Sequence, residues 1–228
     1  MIKSFLMIGQ SNMAGRGEFE DIEEIRNPNC FMLRTGFWEE MREPVNPDHS
    51  IFNNEWHSGV SLASTFADET AKYYRERVGL IPCAHGGTSI DQWMPGEVLY
   101  DHAVMMTKLA MRTSTLSGIL WHQGEQDATS VDSVYAHKEK FLKMITSLRK
   151  ELGAENLPLI IGELSEDHAT REFRAPMNEQ YRESAKILPC CSVASAKDLT
   201  LKKDGIHFDS VSLGIFGKRY FEEYKKLR

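Results

Sequence analysis

Residues 5–15 read Phe5-Leu6-Met7-Ile8-Gly9-Gln10-Ser11-Asn12-Met13-Ala14-Gly15. An apolar run stops at Gly9, and a serine follows. This order is typical of a buried parallel strand that presents a hydroxyl at its carboxyl end. It is not the G-x-S-x-G turn, because Met13 stands where the second glycine would be. Alternatively, Ser11 only caps a short helix, since glycine, serine and asparagine suit turns and caps.

The composition limits the class of protein. The 228 residues carry 27 lysines and arginines against 33 aspartates and glutamates, for a net charge of −6. We expect a single domain over residues 1–228, because one domain of this size buries enough surface to be stable. Without a basic stripe, nucleic acid and anionic membranes are poor partners. No apolar run is long enough for a transmembrane helix, and no pattern indicates an oligomeric state.

The cysteines and the amino terminus indicate a compartment. The cysteines are Cys30, Cys83, Cys190 and Cys191. None shows C-x-x-C spacing, which argues against a zinc site and a disulfide framework, and we expect reduced thiols in a cytoplasmic protein. We interpret the amino terminus as a first strand rather than a signal peptide, because it has no small-residue cleavage site. No cluster of His, Asp and Glu residues has the spacing of metal ligands, so no bound metal is expected.

Five apolar segments alternate with helical patterns, which predicts an α/β fold whose parallel sheet is covered on both faces. The predicted strands are Lys3–Ile8, Leu80–Ala84, Gly118–Trp121, Leu159–Ile161 and Cys191–Ala194. Pro82 cannot donate to a ladder, so we expect the second strand at a sheet edge. That position fits a flavodoxin-like five-stranded order, 2-1-3-4-5, in a three-layer α/β/α sandwich.

Apolar residues at helical spacing predict the helices. The five stripes start at Leu62, Leu99, Phe141, Met177 and Leu213. We expect Ser130 or Asp132 to cap the third helix, and Gly79 and Gly153 to end the first and the third. Residues 18–57 show no clean periodicity. We predict a hairpin around Thr35 and Gly36 there and interpret the connection as a lid or rim.

Four loops with unusual residues follow the predicted strands. They are Gly9–Ala14, His85–Ile90, His122–Asp127 and Asp204–Phe208. In an open α/β sheet, such loops converge on one crevice. Each signal is weak alone, and their convergence makes each more informative.

The last loop can supply a base for Ser11. A hydroxyl is a poor nucleophile until a base takes its proton, and the His207 imidazole is suited to do so near neutral pH. Asp204, three residues earlier, could orient that ring and stabilise its charged form. Alternatively, Asp204 is a turn residue and His207 an incidental histidine at a helix start.

Acyl transfer also needs donors for a developing oxyanion. The sequence offers the Ser11 N–H, an N–H of Gly86 or Gly87, and the Gln123 side-chain amide. The glycine pair could instead form an ordinary turn. A phosphate cradle is a poorer interpretation, because the lysine and spacing of a P-loop are missing.

The remaining polar and aromatic residues have weaker assignments. Glu125 and Asp127 suggest either paired acid–base chemistry or buried hydrogen bonds that hold the loops; we favour the second, with Glu125 nearer Ser11 and His207. Two further residues, Gln10 and Asn12, are expected to support the site. Thr88 and Trp93 are candidates to bind substrate, Trp93 by stacking on a sugar.

Four blocks together resemble a known family. They are Gly-Gln-Ser-Asn-Met-Ala-Gly from Gly9, Gly-Gly-Thr-Ser-Ile from Gly86, Trp-His-Gln-Gly-Glu-Gln-Asp from Trp121, and Asp-Gly-Ile-His-Phe from Asp204. In this order they resemble carbohydrate esterase family six, the acetylxylan-esterase and sialate O-acetylesterase-like branch of the SGNH/GDSL hydrolases. Three positions differ from the wider pattern: Gln10 replaces an aspartate, Gln123 an asparagine and Gln126 a small residue.

The resemblance implies an SGNH hydrolase fold and a carboxylic ester hydrolase without a cofactor. It implies Ser11 as nucleophile, His207 as base and Asp204 as its partner, with an oxyanion hole from Ser11, Gly86, Gly87 and Gln123. The expected substrate is a small acetylated carbohydrate, such as acetylated xylo-oligosaccharides or related acetyl sugars. The alternatives are a GDSL-type lipase or thioesterase for longer acyl esters, a non-catalytic sugar-binding relative, and a flavodoxin-like cofactor protein.

Overall fold

The computed structural model describes residues 1–47, 57–166 and 172–228. Its strands are β1 (Ile2–Gly9), β2 (Cys30–Arg34), β3 (Phe37–Glu40), β4 (Val78–Pro82), β5 (Ser114–His122), β6 (Leu159–Gly162) and β7 (Cys191–Ala194). Its helices are α1 (Ser11–Ala14), α2 (Leu62–Tyr74), α3 (Val98–Ala110), α4 (Val131–Glu151), α5 (Arg174–Ile187) and α6 (Ser210–Leu227). Short 3₁₀ turns lie at Phe19–Asp21 and Ile90–Trp93.

The strands form one sheet in the order β3-β2-β4-β1-β5-β6-β7. All neighbouring pairs are parallel except β2 and β3, which form the hairpin predicted around Thr35 and Gly36. The five strands predicted from the sequence lie in the predicted order, with β1 between β4 and β5. The sheet of the described residues nevertheless has seven strands rather than five, because the hairpin extends it.

The edge position expected for the second strand is wrong. That strand, β4, pairs with β1 on one side and with β2 on the other. The prediction failed because Pro82 lies beyond Leu80, the last β4 residue that β2 pairs with. The N–H that proline lacks is therefore not required by that ladder.

The expectation that Gly79 ends the first long helix is also wrong. α2 ends at Tyr74, and Arg75 adopts the left-handed conformation with φ of 56°. Gly79 lies inside β4, where a Cβ atom would stand 2.5 Å from the Trp38 ring. The glycine thus makes room for a close side chain. Gly153, in contrast, follows α4 with φ of 62° as predicted, and Ser130 caps the start of α4.

Two apolar layers cover the sheet. Alternate residues of β1 enter different layers, because successive side chains of a strand point to opposite faces. Phe5 and Met7 pack with α2 and α6, whereas Leu6 and Ile8 pack with α3, α4 and α5. This is the three-layer α/β/α sandwich predicted from the sequence. It holds the carboxyl ends of β1, β4 and β5 at one edge of the sheet.

The region interpreted as a lid or rim is described only in part, because residues 48–56 lie outside the described residues. The preceding segment is packed, with Met41 and Val45 buried. Glu43 accepts hydrogen bonds from Val45 N at 2.9 Å and from Ser61 N, at the start of α2, at 2.9 Å. One carboxylate therefore ties this segment to α2.

Within the described part of the chain, no helix combines the length and apolar character needed to cross a membrane.

Candidate active site

The turn after β1 is determined by a close contact between two strands. Gly9 has φ of +127°, and a Cβ atom there would lie 2.0 Å from the His122 carbonyl oxygen of β5. Only glycine avoids both the strained backbone and the clash. The next residue, Gln10, donates its N–H to the same oxygen at 2.8 Å. Ser11 then begins α1, at a position whose N–H has no acceptor within the helix.

The structure brings the predicted nucleophile, base and carboxylate together. The Ser11 Oγ lies 2.9 Å from His207 Nε2, and His207 Nδ1 lies 2.8 Å from Asp204 Oδ2. Because the Asp204 carboxylate only accepts hydrogen bonds, it favours the proton on Nδ1 and leaves Nε2 free to accept the serine proton. The arrangement can therefore activate a hydroxyl by general base catalysis.

Backbone donors keep Asp204 ionised. Its Oδ1 accepts hydrogen bonds from Ile206 N at 2.8 Å and from His207 N at 2.9 Å. Partial burial raises the pKa of Asp204, but the hydrogen bonds from the His207 backbone and ring and from Ile206 outweigh it and lower the pKa to about 2. The carboxylate is thus charged over the range in which an imidazole acts as a base.

Asn12 links the serine to the histidine loop. Its Oδ1 accepts from Phe208 N at 3.1 Å, and its Nδ2 donates to Ile206 O at 3.2 Å. These contacts hold the residues on both sides of His207. Nδ2 also donates to Glu125 Oε1 at 2.6 Å. The placement of His207 therefore depends on the residue directly after Ser11.

Glu125 supports the position of Asn12 by accepting its Nδ2 hydrogen bond. It also contacts His122 Nε2 at 3.2 Å, and its side chain is 5% exposed. Burial raises the pKa of Glu125, but the His122 charge and the hydrogen bonds from His122 and Asn12 outweigh it and lower the pKa to about 2. An ionised Glu125 determines which end of the Asn12 amide faces it. Gln10 makes a weaker contact, in which its Oε1 accepts a hydrogen bond from Gly124 N at 3.4 Å.

The glycine turn after β4 lies against the serine. A Cβ atom at Gly86 would stand 3.6 Å from Ser11 Cβ and 2.6 Å from Arg16 Nη2. Gly87 has φ of +72° and lines the cleft beside Ser11. A backbone without side chains thus approaches the hydroxyl closely, as an oxyanion hole requires.

The structure corrects the expectation that the Gln123 amide donates to an oxyanion. Gln123 is fully buried, and its Nε2 donates to Thr88 O at 2.9 Å and to an Asp127 carboxylate oxygen. Both of its protons are therefore used elsewhere. The reason is strand alternation: His122 packs against Phe216 of α6, so the next side chain points to the opposite face.

The expectations for Thr88 and Trp93 as sugar-binding residues are also wrong. Each is 1% exposed. The Trp93 indole donates to Thr88 Oγ1 at 3.1 Å and packs edge-on against Trp121, and the Thr88 hydroxyl donates to His85 O at 2.9 Å. A buried indole with its N–H already bonded cannot stack on a ligand. Both residues instead support the glycine turn.

A cleft of about 460 Å³ opens over these groups. Its lining residues are Gln10, Ser11, Arg16, His57, Gly87, Glu125, Gln126, Lys202, Asp204, Ile206 and His207. A cavity of about 560 Å³ beside β3 is larger, but its lining includes no serine, cysteine or histidine. The hydroxyl–imidazole pair therefore makes the smaller cleft the candidate active site.

Two cations that line this cleft, Arg16 and Lys202, were not predicted from the sequence. Lys202 Nζ donates to Arg16 O at 2.8 Å and to Glu18 Oε1 at 2.5 Å, and Arg16 Nη1 donates to Gly15 O at 2.6 Å. Each lies two residues from the end of a site loop in the sequence, so a search for charged residues near the loop ends would have found them. Gln126, the departure from the family pattern, is exposed at the rim of the cleft.

Among the described residues, no group of three or more His, Cys, Asp and Glu side chains is placed to hold a metal ion.

Comparison with known proteins gives a consistent result. The family model described as carbohydrate esterase, sialic acid-specific acetylesterase, matches residues 2–226. A probable carbohydrate esterase from Arabidopsis thaliana is 29% identical over 235 residues, which cover 92% of this chain and 86% of that protein. An X-ray structure of an Arabidopsis thaliana protein aligns with a TM-score of 0.87 at 25% identity, over 98% of both chains.

Two more distant structures share the fold. NanS aligns with a TM-score of 0.78 at 17% identity, over 99% of this chain and 97% of its own. A carbohydrate acetylesterase from Xanthomonas citri aligns with a TM-score of 0.70 at 20% identity, over 99% of this chain and 56% of its own. Both comparisons bear on the architecture of the chain alone.

Proposed function

This chain belongs to the family of carbohydrate esterases described as sialic acid-specific acetylesterases, and on that premise we propose that it removes O-acetyl groups from carbohydrates through an acyl-serine intermediate. The observation that carries the proposal is the chain of contacts from Ser11 Oγ to His207 and on to Asp204. A hydroxyl, an imidazole and a carboxylate in this order are the parts that nucleophilic acyl transfer needs.

In the first step, His207 Nε2 takes the proton of the Ser11 hydroxyl as Oγ attacks the acetyl carbonyl carbon. The carbonyl π electrons move to oxygen, and the Ser11 N–H and the glycine turn donate to that oxyanion. Asp204 stabilises the imidazolium that forms. Preorganised donors are effective here because they need no reorganisation as the charge develops.

In the second step, the intermediate collapses and the bond from carbon to the sugar oxygen breaks. The imidazolium of His207 gives its proton to that oxygen, so the sugar leaves as an alcohol and the acetyl group stays on Ser11. A water molecule, deprotonated by His207, then attacks the acetyl-serine. Acetate leaves, and the serine regains its proton from His207.

The substrate we propose is a small acetylated saccharide, such as an acetylated xylo-oligosaccharide or a related acetyl sugar. The residues that line the cleft include Gln10, Arg16 and Lys202, whose polar groups can form hydrogen bonds with sugar hydroxyls. In a cytoplasmic protein, as we propose, polymeric xylan would not reach the site.

Hydrolysis of p-nitrophenyl acetate tests the serine mechanism. We expect Ser11→Ala to lower kcat by about 10³-fold or more, because the nucleophile is lost while the donors remain. Ser117→Ala is the matched control, since its hydroxyl only donates to Thr115 O at 3.0 Å, and it should keep the wild-type rate. Equal turnover by Ser11→Ala and wild type would reject the mechanism.

The acyl chain length separates the alternatives. An acetylesterase should hydrolyse p-nitrophenyl acetate far better than p-nitrophenyl octanoate, whereas a lipase or thioesterase would prefer the octanoate. If the protein only binds sugars, the wild type should show no turnover that depends on His207. Turnover that is lost in His207→Ala would therefore exclude this alternative. A screen of acetylated saccharides, with acetate release as the signal, then identifies the sugar.

A further inference from the structure

A second hydrogen-bond network lies on the other face of the sheet, below the glycine turn, and the proposed reaction does not use it directly. Its centre is Asp127, in the loop between β5 and α4. Its carboxylate accepts from Ile90 N at 3.0 Å through Oδ2 and at 3.2 Å through Oδ1. Oδ2 also accepts from the Gln123 amide. One carboxylate therefore holds a backbone group and a buried side chain at once.

Gln123 extends the network to the turn itself. Its Nε2 also donates to Thr88 O at 2.9 Å. Because Thr88 O and the Asp127 carboxylate can only accept, the nitrogen end of the amide must face them. The amide therefore has one orientation, with Oε1 directed at His137.

His137 agrees with that orientation. Its Nε2 lies 2.9 Å from Gln123 Oε1, so Nε2 must carry the proton. Its buried Nδ1 has no hydrogen-bond partner among the described residues, as a neutral ring protonated only on Nε2 permits. Burial also lowers the pKa of His137 to about 3. The donors and acceptors of the network are thus mutually consistent from α4 to the turn.

We propose that Asp127 is a positioning residue that holds the Gly86–Gly87 turn against Ser11, through Ile90 directly and through Gln123 to Thr88. The two anchored backbone groups, Thr88 O and Ile90 N, lie one and three residues after Gly87 in the chain. Fixing both limits how far the glycine N–H groups can move from the serine. The inference rests on the proposed function, because these N–H groups stabilise an oxyanion only if acyl transfer takes place at Ser11.

Replacing the carboxylate by an amide should release the turn. In Asp127→Asn, an NH₂ group would face another donor in either orientation. An NH₂ at the Oδ1 position would oppose Ile90 N, which lies 3.2 Å away in the wild type. An NH₂ at the Oδ2 position would oppose both Ile90 N and the Gln123 NH₂, and relief would then require Gln123 to rotate its amide and lose the bond to Thr88 O. A displacement of about 1 Å at a reacting group can cost about 10²-fold in rate. We therefore expect kcat to fall roughly 10- to 100-fold, with KM changed less than about threefold.

The experiment compares wild type, Asp127→Asn and the matched control Asp91→Asn. Asp91 follows Ile90 on the 3₁₀ turn Ile90–Trp93, but its carboxylate pairs with Lys140 at 2.6 Å on the surface. We would measure kcat and KM with p-nitrophenyl acetate and the inhibition constant of methylboronic acid, whose tetrahedral adduct on Ser11 mimics the acetyl intermediate. Hydrogen exchange of the 85–90 amides reports the anchoring without catalysis.

In Asp127→Asn we expect weaker methylboronic acid inhibition in proportion to the loss of kcat, and faster exchange at residues 85–90 but not at 11–15. Asp91→Asn should match wild type. If Asp127→Asn does not fold, Asp127→Ser, which introduces no amide donor, takes its place in the same comparison.

Two results would be decisive against the inference. A Ser11-dependent enzyme whose Asp127→Asn variant keeps kcat and methylboronic acid affinity within twofold overturns the inference alone. A loss of thermal stability with unchanged methylboronic acid affinity would reduce Asp127 to a structural role. The proposed function is tested separately by the comparison of wild type with Ser11→Ala. If Ser11→Ala keeps the wild-type turnover, the proposed function is wrong.

Discussion

At the residue scale, the proposed function depends on which nitrogen of His207 carries the proton. Asp204 determines this through Oδ2, while its Oδ1 is held by two backbone N–H groups. The motif Asp-Gly-Ile-His contains all the parts of this arrangement, since an aspartate in a turn bonds to N–H groups two and three residues later. The contact between Asp204 and His207 could therefore be predicted from the sequence.

Substitution of this carboxylate gives a prediction at the same scale. Asp204→Asn should lower kcat by at least about 10²-fold, because an amide can present its NH₂ to His207 and favour the tautomer that cannot accept the serine proton. The larger loss known for a buried triad aspartate, about 10⁴-fold, is not expected, because the Asp204 side chain is 41% exposed and solvent can substitute in part. The measurement is kcat for p-nitrophenyl acetate, with the exposed Asp198→Asn as control. An Asp204→Asn variant with wild-type kcat would contradict the prediction.

Gln123 shows where residue-level prediction stopped. Its place in the motif was recognised, but spacing along the chain does not say which face of the sheet a side chain takes after a strand ends. The direction follows from His122, which packs against Phe208 and Phe216. These contacts join residues 86 and 94 positions apart, and no local pattern contains them.

At the element scale, the site depends on how closely β1 and β5 approach at their carboxyl ends. Gly9 and Gly153 form a matched pair for testing this, since both have positive φ. A Cβ atom at Gly9 would lie 2.0 Å from a backbone oxygen, whereas one at Gly153 would meet nothing within 4 Å. A difference between the two variants therefore reports the clash together with the larger backbone strain at Gly9, whose φ of 127° lies outside the left-handed region that Gly153 occupies at 62°.

We expect Gly153→Ala to cost about 1 kcal/mol, the usual strain of a left-handed alanine. Gly9→Ala should cost at least about 3 kcal/mol, because β1 and β5 must separate as well. Urea unfolding monitored by circular dichroism gives both free energies of unfolding. Equal losses in the two variants would show that the close approach of these strands contributes nothing.

The strands and long helices were predictable because their apolar spacing agrees with their final burial. The exceptions, Pro82 and Gly79, have a common cause. Both predictions considered only the effect of the residue on its own backbone. The position of Pro82 is instead explained by the short overlap of β4 with β2, and that of Gly79 by the Trp38 ring. The hairpin that supplies both neighbours lies in the stretch without clean periodicity.

At the scale of the whole molecule, two carboxyl groups shape the pH dependence of stability with opposite signs. Burial raises the pKa of Glu43 to about 7, despite hydrogen bonds from Ser64, Ser61 and Val45. The stability that Glu43 contributes is therefore present below its unfolded pKa of about 4.5 and is lost as the pH rises through 7. The pKa of Glu125 is lowered to about 2, so its contribution is present above about pH 4.5 and is lost as the pH falls towards 2.

Taken together, the two groups place the pH of maximum stability at about 5. We expect the free energy of unfolding to fall by about 1–3 kcal/mol between about pH 5 and pH 8, and Glu43→Gln to remove most of that fall because it cannot ionise. Urea unfolding at both pH values measures it, with the exposed Glu40→Gln as control. The same fall in Glu43→Gln as in wild type would assign the pH dependence to other groups.

The cleft as a whole was harder to predict than its reacting groups. Ser11, Asp204 and His207 belong to recognisable motifs, and the sheet order brings them together. Arg16 and Lys202 enter the cleft because Lys202 reaches across to Arg16 O and Glu18. That contact joins residues 186 positions apart and becomes visible only once the fold is known.

The place of β1 between β4 and β5 has a consequence for synthesis on the ribosome. β1 is a central strand that is made before both of its neighbours, β4 and β5, which begin at Val78 and Ser114. Until then Phe5, Leu6, Met7 and Ile8 have no native partner on either side, and an unpaired apolar strand is open to association with other chains. We therefore expect the nascent chain to need protection, by a chaperone or by the ribosome surface, until β5 has been made.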